Sequence, residues 1–323
     1  MKILITGGGG FLGFKLAKTL LARGTLGGKA ITGITLLDGA FPSALKDLNQ
    51  EKVRAVTGDV SNAETIAGVC TPDTDAVFHL AAVVSGAAEA DFDLGMRVNL
   101  KGMEMLLEQM RKCLKPPRLV YTSSVAAFGG DLPSVLDDST IANPQTSYGA
   151  QKVIGEYLVT DYTRKGFIDG RSLRLPTIVV RAGKPNAAAS SFASGILREP
   201  LNGLISECPV APETGVWLLS PGKVVGAFIH AWELPPEAWG TQRWLNLPGI
   251  TASVAEMVEA MRKVAGDAAA KRVVYKADAR IQGIVKTWPV NFRTPRALAM
   301  GFKPDASVEN VIRDYIADEK IRI

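Results

Sequence analysis

The chain of 323 residues carries 37 Lys and Arg against 32 Asp and Glu, a formal net charge of +5, with 47% hydrophobic and 21% charged residues. That length allows one large α/β core with a smaller appended lobe, and the ordinary composition excludes a fibrous or disordered chain. Basic residues are interleaved with acidic ones and no uncharged apolar run reaches membrane-spanning length, so neither nucleic acid nor a membrane is an expected partner.

Met1 leads at once into Ile3-Leu4-Ile5, an apolar stretch too short for a signal-peptide core and followed by glycines, which predicts a cytoplasmic protein. Cys70, Cys113 and Cys208 are far apart in the chain and, with only His79 and His230 available, show no metal-ligand spacing. They read as free thiols, and no metal is expected.

In chain order, a strand at 2–6 runs into a helix at 11–23. Short aliphatic or β-branched runs recur at 31–38, 53–58, 76–80, 118–123 and 172–179, nearly without alternation, as strands buried on both faces should be. Helical patterns at 93–113 and 147–165 lie among them, and together they predict an α/β doubly wound parallel sheet of the Rossmann type over residues 1–175. From 176 to 221 Pro, Gly and Ser dominate around one helical segment at 192–199, so residues 176–323 are expected to form mainly a smaller C-terminal substrate-binding lobe. A helix after Pro221 and a strand at 244–247 belong to a stretch, about 221–250, expected to return to the first domain. Ser253 with Glu256 three residues on has capping-box spacing, and closing elements are expected at 293–302 and 307–318.

The first βα crossing reads Thr6-Gly7-Gly8-Gly9-Gly10-Phe11-Leu12-Gly13. Glycines at 7, 10 and 13 permit a tight turn, backbone approach to a pyrophosphate and close helix–strand packing, and the helix N-terminus, with Phe11 and Leu12, offers amides to phosphate. In that strand–turn–helix context the spacing predicts dinucleotide binding. Asp38 ends the next strand, where a carboxylate accepts ribose hydroxyls and repels a 2′-phosphate, which favours NAD over NADP. Asp59, followed by Val60, has two readings: a partner for the adenine amino group, or, with Ser61, a helix N-cap. Leu80-Ala81-Ala82 after His79 leave room for the cofactor, and His79 itself reads as a core histidine.

Tyr148 and Lys152 are four residues apart, which places phenol and ammonium on one helix face. A phenol is a weak base at neutral pH, and a neighbouring cation stabilises its phenolate. Ser124, at a strand end about two dozen residues earlier, is placed to hydrogen-bond the reacting oxygen.

This combination resembles the extended short-chain dehydrogenases/reductases, the NAD-dependent epimerase/dehydratase group, over essentially the full length. The resemblance implies Gly7, Gly10, Phe11, Leu12, Gly13, Asp38, Asp59, Val60, Leu80, Ala81, Ala82 and Pro176 as cofactor residues, with Ser124, Tyr148 and Lys152 as the reacting triad. Asn99 matches that superfamily's helix asparagine, which implies a water-mediated proton relay to the lysine; its other reading is a structural bond in a helix kink. Val125 and Ala126 stand where dehydratases carry an acid pair, so dehydration is disfavoured. Within the group, the segments at 175–181, 184–191 and 284–289 are similar to dehydrogenases of small sugar acids. That implies oxidation of a four-carbon acid, D-erythronate, at C2 to the 2-oxo acid, with Ser85, Ser124, Tyr148, Thr177, Arg181, Asn186, Ser190 and Ser191 as candidate substrate contacts. It also implies a homodimer in which the helices at 93–113 and 147–165 pair across a two-fold axis. Two other functions use the same features: a nucleotide-sugar epimerase that retains its NAD, and a non-catalytic NAD(H)-sensing protein.

Overall fold

The computed structural model describes residues 1–48, 51–183 and 189–323. The chain divides into two compact units, the first made of 1–127, 146–174 and 225–245, the second of 128–145, 175–224 and 246–323. In chain order the elements that matter are β1 (Lys2–Thr6), α1 (Phe11–Arg23), β2 (Gly33–Asp38), β3 (Val53–Thr57), α2 (Ala63–Val69), β4 (Ala76–His79), α3 (Gly102–Met110), β5 (Arg118–Ser124), α4 (Ser147–Arg164) and β6 (Asp169–Leu175). There follow β7 (Thr177–Ile178), α5 (Ser191–Leu201), β8 (Gly215–Leu219), α6 (Pro221–Glu233), β9 (Trp244–Asn246), β10 (Ile250–Ser253), α7 (Val254–Ala265) and α8 (Val308–Glu319).

The central sheet has seven strands in the order β9-β6-β5-β4-β1-β2-β3, with parallel pairing from β5 through to β3. The order reverses between β1 and β4, the switch point at whose carboxyl edge doubly wound sheets bind ligands. Ile3, Leu4, Ile5, Val77, Phe78, Leu119 and Val120 are almost wholly buried, which accounts for the unalternating strand sequences. Below them Met103, Leu106, Leu107 and Met110 of α3 pack on Leu4, Val77, Leu119 and Tyr121.

The run expected as a strand at 172–179 is two strands in two different sheets, because Pro176 separates β6 from β7 and has no N–H to continue a ladder. The helix expected at 93–113 is interrupted: Phe92–Gly95 passes into a π-helical turn, Met96–Lys101, before α3, and the helix ends at Met110. Helix α4 begins at Thr146, whose hydroxyl accepts from the Gly149 amide at 3.1 Å. Its buried stripe, Gly149, Lys152, Glu156 and Val159, follows the helical period yet contains two charges. At Gly155 the helix lies flush on β5, where a Cβ would fall 2.5 Å from the Tyr121 hydroxyl.

At the amino edge of the same sheet Asp169 accepts from Arg118 Nε at 2.8 Å and Arg171 Nη2 at 2.9 Å, with Arg243 Nη1 at 3.4 Å. The arginines reach onward to carbonyls at the end of α6, Arg118 to Trp232 O at 2.6 Å and Arg171 to Leu234 O at 3.1 Å.

The second unit has its own core, in which α5, α7 and α8 supply Ile196, Leu197, Met257, Met261, Val311 and Ile312. Its three-stranded sheet runs β10-β8-β7, antiparallel then parallel. Ser253 and Glu256 form the expected capping box. The stretch read from its breakers as loop contains β8, held by pairing with β10.

Candidate active site

The glycine loop turns at the switch point. Gly7 has φ +73°, and a Cβ there would lie 2.7 Å from the Ala81 amide nitrogen; at Gly13 one would lie 2.1 Å from the Gly7 carbonyl oxygen. Gly7 and Gly8 donate to Leu37 O at 2.8 and 3.1 Å, which ties the turn to the end of β2. Gly10 is the N-cap of α1 and, among the described residues, no side chain caps that helix, so its first-turn amides point outward through Phe11, Leu12 and Gly13. Asp38 Oδ2 accepts from the amides of Gly9 and Gly10, both at 3.0 Å, so the carboxylate sets the shape of the loop as well as ending β2.

Asp59 Oδ1 accepts from the amide and hydroxyl of Ser61 at 2.8 and 2.7 Å, and these bonds hold its carboxyl below the usual range. Neither Asp59 nor Ser61 caps α2. Asn62 does, accepting from Thr65 N at 2.8 Å, because the turn at Asp59 delays the helix by one residue. Val60 is buried against Gly102. Leu80, Ala81 and Ala82 follow β4 directly, half-buried, with Leu80 N bonded to Thr6 O at 3.0 Å. His79 is 1% exposed, its Nδ1 lies 2.6 Å from Thr6 Oγ1, and burial, then the Lys152 charge, push it down to about 3. At neutral pH it is an uncharged core residue with no acid/base part to play.

Lys152 is 2% exposed and donates to Thr122 O at 2.7 Å. Its Nζ stands 5.5 Å from the centroid of the Tyr148 ring and 4.9 Å from that of Tyr121. Burial pushes the ammonium down to about 7, opposed by the carboxylate of Glu156. Ser124 ends β5 half-buried; its Oγ accepts from Ala126 N at 3.1 Å and keeps its proton to donate. Val125 and Ala126 form a 3₁₀ turn with Ala127 just beyond it, leaving no acid pair at that strand end.

Asn99 lies in the π turn and is 2% exposed. Its amide spans Val83, accepting from Val83 N at 2.8 Å and donating to Val83 O at 3.1 Å, and also donates to Gln151 Oε1 at 2.7 Å. The side chain is therefore committed to holding the loop after β4 against α4. Glu156, one turn along α4 from Lys152, is paired with Arg174 of β6, and neither was singled out for the site; nothing local in the chain joins residues 18 apart on different elements. Ser85 opens a short helix, Ser85–Ala90, in the first unit. Pro176, Thr177, Arg181, Ser190 and Ser191 belong to the second unit, where Arg181 Nη2 donates to Ser190 Oγ at 3.4 Å and Ser194 Oγ accepts from Arg181 N at 3.0 Å. Asn186 lies outside the described residues. No group of three or more metal-ligating side chains and no membrane-spanning helix occurs among the described residues.

A glycine turn at a sheet switch point, with a Tyr–Lys pair on the helix that packs on β5 of the same sheet, defines a nucleotide-dependent enzyme of the α/β class. The chain belongs to the NAD dependent epimerase/dehydratase family, whose model matches residues 3–231. It is 56% identical over 322 residues to a D-erythronate dehydrogenase of Cupriavidus necator, with 98% of each chain covered, and 44% identical to one of Haemophilus influenzae, with 98% and 99% covered. Its fold superposes on the crystal structure of a nucleoside-diphosphate-sugar epimerase from Agrobacterium tumefaciens with TM-score 0.93 and 42% identity, over 99% of this chain and 94% of that one. The cofactor of the family is NAD, and the residues present fit it: a turn whose Gly7 and Gly13 positions admit no side chain, an α1 N-terminus that offers amides, and a carboxylate, Asp38, at the end of β2.

Proposed function

We propose that this chain oxidises D-erythronate at C2 to the corresponding 2-oxo acid, with NAD as oxidant. The observation that carries the proposal is Lys152 Nζ seated beside the Tyr148 ring in a chain so close to D-erythronate dehydrogenases. Bound NAD supplies the acceptor for the hydride that leaves C2. Tyr148, as phenolate, takes the proton of the C2 hydroxyl, so that proton and hydride depart from one carbinol and a carbonyl remains. Lys152 in its protonated form stabilises the phenolate, and Ser124 donates a hydrogen bond to the same substrate oxygen as it becomes a carbonyl. Asn99 supports this group by fixing the loop at Val83 to α4. Asp38 is assigned to the adenosine ribose, Asp59 to the adenine, and Arg181, Ser190 and Ser191 are candidates for substrate oxygens.

Purified protein with NAD should generate absorbance at 340 nm with D-erythronate, and Tyr148→Phe should lower turnover about 1,000-fold while NAD affinity changes by less than about threefold. Wild-type turnover in that variant would remove Tyr148 as the base. A second reading is favoured by the likeness to the Agrobacterium protein named as an epimerase. An epimerase would convert a nucleotide sugar with no net NADH and keep its cofactor through purification, so the same assay separates the two. We further infer a cytoplasmic protein and a homodimer, the latter supported by the apolar exposure of Ile154 and Tyr157 on α4, one of the helices that would pair.

A further inference from the structure

Lys152 and Glu156 lie one helical turn apart on the sheet-facing stripe of α4, where a buried ammonium and carboxylate would ordinarily pair. They are not joined. Both oxygens of Glu156 are already occupied: Oε1 accepts from Arg174 Nε at 2.8 Å and from Ser123 Oγ at 2.5 Å, and Oε2 accepts from Arg174 Nη2 at 2.6 Å. Arg174 lies in β6 with its guanidinium 4.0 Å over the ring of Trp244, so the two-pronged geometry is clamped from behind. Lys152, left aside, donates to Thr122 O at 2.7 Å and sits between the rings of Tyr121 and Tyr148.

We propose that Arg174 is a positioning residue: by occupying both oxygens of Glu156 it denies Lys152 its nearest anion and leaves the ammonium to Thr122 and Tyr148. The inference rests on the reading of Tyr148 and Lys152 as the proton-transfer pair. The titratable groups around Lys152 are Tyr148 and Glu156 on α4, Tyr121 on β5, His79 on β4 and Arg174 on β6. Burial keeps Tyr121 protonated and His79 neutral at working pH, so the carboxylate of Glu156 is the protein charge that acts on the ammonium. Without Arg174 the carboxylate turns to Lys152, draws Nζ away from the phenol, and weakens the support of the phenolate.

The test compares Arg174→Met with the double variant Glu156→Gln/Arg174→Met across pH, with D-erythronate and NAD. In the single variant kcat at pH 7 should fall about 100-fold and its acid limb move up by about one pH unit, with KM for NAD within about threefold. The double variant, which has no carboxylate to compete, should return kcat to within about fivefold of wild type and bring the limb back. A double variant no better than the single one, or a single variant with an unmoved limb, overturns the proposal. Should Arg174→Met fail to fold, Arg174→Gln with and without Glu156→Gln is read the same way, since a neutral amide leaves the carboxylate its charge. Tyr148→Phe at wild-type turnover overturns the base assignment itself; an inactive Tyr148→Phe beside an uncorrected Arg174→Met overturns only this inference.

Discussion

Two clusters in the first unit are built from the same parts and end in opposite uses. At the amino edge of the sheet one carboxylate, Asp169, gathers Arg118, Arg171 and Arg243, and the arginines run on to carbonyls at the end of α6. Further in, Glu156 takes one arginine and one serine, and a lysine stands next to it without a carboxylate partner. The first cluster spends its charge on tethering an element, satisfying the negative end of a helix with cations. The second withholds a charge from pairing, so that it remains at work on a phenol.

Substitutions in the two clusters should move stability and turnover in opposite senses. Lys152→Met should lower kcat about 1,000-fold, since the phenolate loses its cation. The same change should raise the thermal midpoint at neutral pH. Lys152 is depressed to about 7 in the fold from an ordinary 10.5, so between those values the unfolded chain holds a proton that the native chain does not. Wild-type stability therefore climbs with pH through that window, and below it the buried charge is borne in full. The advantage of Lys152→Met, read by calorimetry, should be greatest at pH 7 and below and shrink toward pH 10. A midpoint lower than wild type at pH 7 would mean that the lysine is a structural tie after all.

Asp169→Asn should do the reverse. It leaves three guanidiniums without their carboxylate and should lower stability by about 3 kcal/mol in denaturant titrations, while kcat below the transition stays within about twofold. A loss of turnover in folded Asp169→Asn would break the division of labour between the two edges. The smallest effect is expected at the carboxylate of the loop. Asp38→Asn keeps the shape but loses the charge that receives the Gly9 and Gly10 amides and is assigned to the ribose; KM for NAD should rise about tenfold, and discrimination against NADP should narrow.

The parts of this molecule legible in the chain are those in which a local rule and the global fold agree. β1 and its glycine turn, the Tyr148–Lys152 spacing and the Ser253–Glu256 capping box each rest on residues within one or two turns of each other. What escaped depended on partners distant in sequence or, at one helix cap, on competition between neighbouring side chains. β8 is a five-residue run among breakers and becomes a strand because Ile250–Ser253 pairs with it. The cap of α2 passed to Asn62 because Ser61 was already engaged by Asp59. The thiol of Cys113 donates to Thr71 O at 3.5 Å, a contact made only because the end of α2 packs beside the end of α3. The Arg174–Glu156 pair needs a strand and a helix brought together, and no spacing rule describes it.

Gly155 gives the reaction centre a tolerance. The Tyr121 ring of β5 occupies the space a side chain at 155 would take, with its hydroxyl 2.5 Å from where a Cβ would fall, and Lys152 rests against the same ring. A methyl group at this position would work as a spacer, lifting the helix and the phenol and ammonium it carries away from the strand that ends in Ser124. Distances in the triad are thus gauged from behind by a residue that never meets the substrate.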